Sequence, residues 1–386
     1  MRWGKAHLLA KDEQPGLDPM AYRVLLVLQR LYRRWASMRL QHLDGWVRKW
    51  QLEEMYAGVK DAGADVGWLS TALDQEEAQL ELAAYLFGLL DIWKCFDQIV
   101  PMLARTLCIL AGMPTKVVLA YARLMSQVQV VNCLSLGAGR PYKRQCSIPQ
   151  GCPWSMSVLA LMTYPWIMMV RQHQGVVPRA LADDLSLWAR QATDAASRGT
   201  DLWIKNWETA MDATLQLLDD MAAKVAHGKS LTLASNTPLR KWLRQKRWGR
   251  QQAAIPTVGW VRNLGAHFNS THKRLAGTTK KRMQHGCHDA MRIGQIPRRI
   301  AAKARMLEAK AFGRALYGCE VTEPRLEDKR RLMSKCANAL LGRHQTQRSP
   351  EVATALGGAG GAEVMTAMLM RKYRTPSTAH DHARDT

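Results

Sequence analysis

ALADDLSLW, residues 180–188, is the stretch on which the reading of this chain turns. Asp183 and Asp184 are adjacent, with apolar residues on both sides. Alanine and leucine leave Arg179 to Arg190 open between a helix and a hairpin. As a helix, the pair is an ordinary surface or cap. As a tight hairpin, its turn holds both carboxylates near the end of another strand. Two neighbouring anions repel, so a buried pair needs a cation. LLDIWKCFD, residues 89–97, offers a third carboxylate, Asp91, inside an apolar run from Leu86 to Cys95 that reads as a buried strand. A carboxylate there is costly to bury without a partner. Asp91 placed beside the pair would make an oxygen-rich site of the kind Mg²⁺, or Mn²⁺ in its place, prefers.

The chain of 386 residues is 47% hydrophobic, enough for a substantial core and too apolar for a disordered polymer. Its 55 Lys and Arg against 32 acidic residues give a formal charge of +23. That balance calls for a polyanion partner, nucleic acid or an anionic membrane surface. The carboxylates favour nucleic acid, so no membrane partner is expected. The eight cysteines form no CxxC and no zinc-ligand spacing, which suits a reducing compartment. The first residues show no signal-peptide pattern. Ser157 to Val170 is too short to span a bilayer and contains Pro165, so it is read as a buried helix. The expectation is a soluble, intracellular protein.

Pro19 to Trp50 reads as one or two helices with a basic face, and Asp74 to Phe87 as another helix. Pro114 suits the first position of a helix running to Met125. Gln127 to Leu136 alternates like a strand, residues 137–140 form a turn, and Tyr142 to Ser147 is a candidate return strand. Asn206 to Val225 has helical spacing, with Gly228 as its stop. Ser230 to Ala234 and Val258 to Phe268 alternate like strands, while Arg298 to Tyr317 and Glu327 to Leu341 read as helices. The order implies an α+β core flanked by helical regions.

Between the apparent hairpin and the buried helix lies SIPQGCPWS, residues 147–155. Gly151 permits close backbone approach to a ligand, and Gln150 offers a two-sided amide. Alone, this is an ordinary strand-to-helix turn. Together the blocks resemble the reverse transcriptase domain, particularly that of LINE-like retrotransposons lacking long terminal repeats. LDIWKCFD is similar to the family's first-aspartate block, IPQGCPWS to its Gln-Gly block and LADDLSL to its Asp-Asp block. AHGKSLTLAS (226–235), VRNLGAHF (261–268), residues 299–321 and an upstream segment from Ala10 extend the likeness over roughly residues 5–345. Three departures stand out. Leu181 replaces the usual aromatic, Val24 replaces a proline, and the block before the first aspartate is barely recognisable.

The resemblance implies a right-hand polymerase: fingers in a helical region over residues 1–85, and a palm with an antiparallel sheet over 86–270. A helical thumb over 271–345 and an extension over 346–386 would follow. It implies RNA-directed DNA synthesis with an RNA template, a DNA primer and deoxynucleoside triphosphates, in the nucleus if the host is a eukaryote. Asp91, Asp183 and Asp184 would bind two Mg²⁺ ions. Gln150 and Gly151 would line the nucleotide pocket, and Phe96 would exclude a ribose 2′-hydroxyl. Lys229 would act as the acid for pyrophosphate or as a phosphate contact, and Lys11 and Arg23 would hold the triphosphate.

RKWLRQKRWGR, residues 240–250, concentrates Arg240, Lys241, Arg244, Lys246, Arg247 and Arg250 around two tryptophans. These cations would grip phosphates, and Trp242 and Trp248 would stack on bases or sugars. Solvated loops and local core are the plain alternative. Two rival functions remain open at this point. One is an RNA-dependent RNA polymerase on a similar palm, which Phe96 disfavours. The other is a catalytically decayed, RNA-binding descendant, which the eroded fingers blocks favour.

Overall fold

The structure, a computed structural model, describes residues 3–10, 22–134, 137–192, 201–270 and 277–342. It is a mixed α and β protein. Strands β1 (Trp3–Ala10) and β2 (Tyr22–Leu28) pair antiparallel over seven residue pairs, from Gly4 with Leu28 to Ala10 with Tyr22. The expected helix across Pro19 to Trp50 is therefore corrected at its start, and the helices begin only at Arg30, as Arg30–His42 and Asp44–Trp50. Tyr22–Leu28 is as compatible with a strand as with a helix, and β1 supplies the ladder partner that decides it.

β3 (Tyr85–Asp91) is nearly continuously buried, as a strand covered on both faces must be. β4 (Gln129–Leu134) lies parallel to β1, and the short β5 (Gly137–Ala138) and β6 (Tyr142–Lys143) both pair back on it. β7 (Val176–Leu181) and β8 (Asp184–Arg190) form the hairpin alternative for the Asp-Asp segment. With β9 (Leu231–Ala234) and β10 (Thr257–Val258) they complete a sheet of order β10–β9–β3–β8–β7.

The chain divides into two compact units. The first holds residues 1–63, 83–232 and 237–257. Two helices pack on its central sheet. Ser155–Val170 is the expected buried helix, with eleven buried residues. Leu202–Asp220 presents Trp207, Ala210, Met211, Thr214, Leu215 and Leu218, a stripe at helical spacing, to the core. Trp166 donates its indole N–H to Thr214 Oγ1 at 3.0 Å, and Trp207 donates to the Leu187 carbonyl at 3.3 Å. This helix stops at Asp220 with Ala222 at φ +58°, eight residues before Gly228, so the Gly228 stop is corrected. The residues after Asp220 are instead drawn into backbone bonds beside β3.

Among the described residues the second unit holds 64–82, 233–236, 258–270 and 277–342. Helix Ala64–Leu80 belongs to it, which departs from a single helical region over residues 1–85. The hairpin of β11 (Trp260–Asn263) and β12 (Ala266–Asn269) matches the alternation of Val258 to Phe268. Helices Gly277–Gly294 and Leu326–Leu341 pack with Ile300–Met306 around Met283, Cys287, Leu307, Phe312, Leu332 and Leu340. The helix expected over Arg298 to Tyr317 is wider-wound at Leu307–Phe312, which forms a π-helical turn. All eight cysteines are free thiols. Among the described residues no helix is long and apolar enough to cross a membrane.

Candidate active site

The hairpin β7–β8 closes with Leu181 opposite Asp184, leaving Ala182 and Asp183 as a two-residue turn. Ala182 takes φ +56°, the left-handed geometry that two-residue hairpin turns demand. β3 runs antiparallel to β8, with Asp91 directly opposite Asp184. The Ile92 N–H reaches the Asp183 carbonyl at 3.4 Å. Sequence blocks about ninety residues apart thus deliver all three carboxylates to one end of the sheet.

Their charges interact. Burial, then the charges of Asp183 and Asp91, push the Asp184 carboxyl up to about 6. Burial and the same two charges, with Asp97, push the Cys95 thiol up to about 12. Among the described residues no three His, Cys, Asp or Glu side chains converge to hold a metal ion as they stand. The all-carboxylate donor set and the raised Asp184 pKa fit a hard divalent cation in chemistry and in charge.

Asp184 also makes a stability prediction. Its folded pKa lies above the ordinary 3.8, so the folded chain holds this proton more tightly than the unfolded chain. Its contribution to stability is therefore lost as pH rises from about 4 to about 6. Without divalent cations, Asp184→Asn should be the more stable protein at pH 7, by about 1–2 kcal/mol after discounting for solvent screening. At pH 4 the two should unfold nearly together. Urea unfolding at both values checks this, and a variant less stable than wild type at pH 7 would refute the electrostatic picture.

Two loops close around the strand ends. Residues 224–230 are strapped along β3: Trp93 N–H donates to the Lys224 carbonyl at 2.9 Å, and Ala226 N–H to the Asp91 carbonyl at 2.8 Å. Asp91 N–H donates to Ser230 Oγ at 3.1 Å, and that hydroxyl donates to the Ala226 carbonyl. Lys229 is exposed within this turn. Ser230, which positions Asp91, escaped the sequence reading. Its only signal is its place directly after Lys229.

The Gln-Gly loop packs from the other side. Ser147 and Ile148 N–H groups donate to the carbonyls of Ile99 and Phe96 at 2.8 and 2.9 Å. Leu26 N–H donates to the Gln150 carbonyl at 2.9 Å. Gly151 adopts φ +116°, and a Cβ there would lie 2.6 Å from the Leu26 carbonyl oxygen, so this close approach requires glycine. Phe96 is half-buried between the first aspartate and this loop. An ion pair at 2.7 Å between Arg144 and Asp97 ties the same two segments and was not read from sequence. Arg23 is exposed on β2, three residues before Leu26. Lys11 lies outside the described residues.

The basic segment is more divided than its composition suggests. Thr237–Gln245 is a helix. Trp248 is 1% exposed and packs edge-on against Trp207 and Trp242, with ring centroids 5.7 and 6.4 Å away. The expectation that Trp248 stacks on bases is corrected, because its ring is core. Lys246 pairs with Glu208 and lies over the Trp242 ring, while Arg250 pairs with Asp219 and Asp220. Arg240 bonds the Thr237 hydroxyl, and Arg247 bonds the carbonyls of Arg244 and Lys246. Lys241, Arg244 and Arg247 are exposed.

No protein-family model and no curated protein matches the chain. Among solved structures, apo telomerase of Candida tropicalis truncated from its C-terminal domain is similar at 11% identity and a TM-score of 0.46, over 69% of this chain and 53% of that one. The C. tropicalis telomerase with a TWJ fragment of telomeric RNA is similar at 10% identity and a TM-score of 0.46, over 97% and 64%. The corresponding Candida albicans structure gives 10% identity and a TM-score of 0.41, over 92% and 63%. The chain thus spans between about half and two thirds of the length of these three proteins. At such identities and scores this is a likeness of fold at most, and the functional argument rests on the side chains described above.

Proposed function

We propose that the chain is the polymerase portion of a reverse transcriptase, adding deoxynucleotides to a primer 3′-hydroxyl along an RNA template. The likeness of its sequence blocks favours the LINE-like retrotransposon type, with a fingers, palm and thumb arrangement. One observation carries the reading. Asp91, Asp183 and Asp184 meet at adjacent strand ends, with the Lys229 turn bonded to Asp91 and the Gln150–Gly151 loop bonded to the Phe96 segment.

In this reading Asp91 and Asp183 hold two Mg²⁺ ions, with Asp184 beside them. Bound there, the metal would favour the ionised 3′-hydroxyl and offset charge on the leaving pyrophosphate. Ser230 holds the backbone of Asp91 so that its carboxylate keeps one position. Lys229, exposed on the adjoining turn, donates a proton to the leaving group. Gln150 and Gly151 border the incoming nucleotide, and Arg23 on β2 meets its triphosphate. Lys241, Arg244 and Arg247 offer charge to nucleic-acid phosphates.

Primer extension on an RNA template, with deoxynucleotides and Mg²⁺, tests the proposal. Synthesis by wild type that Asp91→Asn abolishes would support it. A second reading, a non-enzymatic RNA-binding descendant, is favoured by the departures at Val24 and in the block before Asp91. Salt-sensitive RNA binding without synthesis by well-folded protein would select that reading.

Phe96→Ala should relax sugar selection in this assay, raising ribonucleotide incorporation relative to deoxynucleotide by roughly 10–100-fold, since removing a steric clash is worth about 1–3 kcal/mol. An unchanged ratio would reduce Phe96 to a packing residue. A wild-type preference for ribonucleotides would instead indicate an RNA-dependent RNA polymerase.

A further inference from the structure

Within the first unit, helices Pro101–Leu110 and Thr115–Gln127 and residues 143–149 surround a cavity of about 520 Å³. It lies outside the carboxylate site. Protein interiors are close-packed and keep few voids larger than a water molecule, whereas ligand sites run from about 300 to 1,000 Å³. The inner wall is apolar and includes Cys108, Val118, Val130 and Trp154, all buried, and the Tyr121 ring, whose centroid is 5.1 Å from that of Trp154. Burial pushes the Cys108 thiol up to about 12, so that thiol is no anion at neutral pH.

The charged groups of the lining all have one sign. Arg105, Lys143 and Arg144 contribute to it, and among the described residues no Asp or Glu does. Arg144 is neutralised by Asp97 at 2.7 Å. Arg105, half-buried, and Lys143, exposed, have no ion-pair partner among the described residues. An apolar chamber with two uncompensated cations complements a small organic anion with an apolar body. A neutral apolar ligand would leave the cations unanswered, and a nucleotide base would find few polar partners on the inner wall.

We propose that this cavity binds a medium-chain or aryl carboxylate, its apolar body against Trp154 and Tyr121 and its head group between Arg105 and Lys143. Binding itself is independent of the polymerase reading. Ser147 to Pro149 forms part of the wall and leads directly into Gln150, with Ser147 and Ile148 bonded to Ile99 and Phe96. An occupant therefore presses on the back of the loop that the polymerase reading places beside the nucleotide, a regulatory consequence that does rest on that reading.

The test uses the full chain and the fluorescent acid 11-(dansylamino)undecanoate, with its methyl ester as the uncharged comparison. The acid should bind saturably at one site, and Val118→Trp, which fills the chamber, should weaken binding about tenfold or more. Arg105→Glu combined with Lys143→Glu, and the ester on wild type, should each weaken it by roughly fivefold or more. A second measurement needs no variant. Cys146 is exposed and lines the cavity, whereas Cys133 is half-buried and does not. Dodecanoate should slow alkylation of Cys146 by iodoacetamide severalfold and leave Cys133 unchanged, as read by peptide mass. Equal binding to wild type and folded Val118→Trp, or no protection of Cys146, would overturn the site. Equal binding of acid and ester would overturn the anionic ligand class.

Discussion

On the proposed polymerase reading, Asp183→Asn is expected to lower nucleotide addition by about a thousandfold or more, while RNA affinity stays within about twofold of wild type. Asparagine keeps the size of the side chain and one oxygen acceptor but removes the charge that a hard divalent cation needs. Asp183 sits in a two-residue turn whose backbone, including the Ile92 N–H bond to its carbonyl, does not depend on the carboxylate. Removing its charge also relieves one of the two anions that raise the Asp184 pKa, so the fold should gain slightly rather than lose. The exposed cations Lys241, Arg244 and Arg247 are untouched, so RNA retention is expected. Parallel loss of synthesis and RNA binding would make the acidic pair structural. Full synthesis by the variant would place the chemistry elsewhere in the chain.

Gly58→Ala will destabilise the first unit by roughly 3 kcal/mol or more. Gly58 adopts φ +75°, and its Cβ would lie 2.1 Å from the carbonyl oxygen of Met156 and 2.4 Å from the carbonyl carbon. Those are backbone atoms at the start of helix Ser155–Val170, and they cannot swing aside as a side chain would. The Ser157 hydroxyl donates to the Gly58 carbonyl at 2.8 Å, so moving the loop away also breaks a bond. Gly112→Ala is the matched control, since Gly112 has φ +77° and nothing within 4 Å of the added atom. Its cost should be only the conformational one, roughly 1–2 kcal/mol. Urea unfolding of both variants separates close approach from backbone strain. Equal costs would show that Gly58 does not touch the helix.

Much of the scaffold near the carboxylates was legible locally. The apolar run Leu86 to Cys95 became β3 as far as Asp91, where the strand ends, and Asn206 to Val225 announced the helix Leu202–Asp220 through its apolar stripe. Helix Ser155–Val170 was recognisable because burial on every side leaves no polar face to confuse the pattern. The Asp-Asp segment could not be decided from its own residues, since alanine and leucine suit helix and strand alike. Pairing with β3 decides it, and that partner lies almost a hundred residues away. Tyr22–Leu28 was misread for the same reason: its strand state depends on β1. The basic segment misled differently. Composition counts charges, but only packing reveals that Lys246 and Arg250 face acids of the helix Leu202–Asp220 and that Trp248 is core.

By itself the sequence determined the electrostatic character of the chain, the three carboxylates in apolar settings and the glycine at 151, because charge, hydropathy and backbone freedom belong to individual residues. Tertiary structure alone decided which of them meet. The bond from Asp91 N–H to Ser230 Oγ joins residues 139 positions apart. The raised Asp184 pKa arises first from burial and then from charges brought across a strand pair and a turn. The cavity behind the Gln-Gly loop exists only because two helices and a loop leave it unfilled. Such features depend on distances between segments remote in sequence, and short-range periodicity carries no record of those distances.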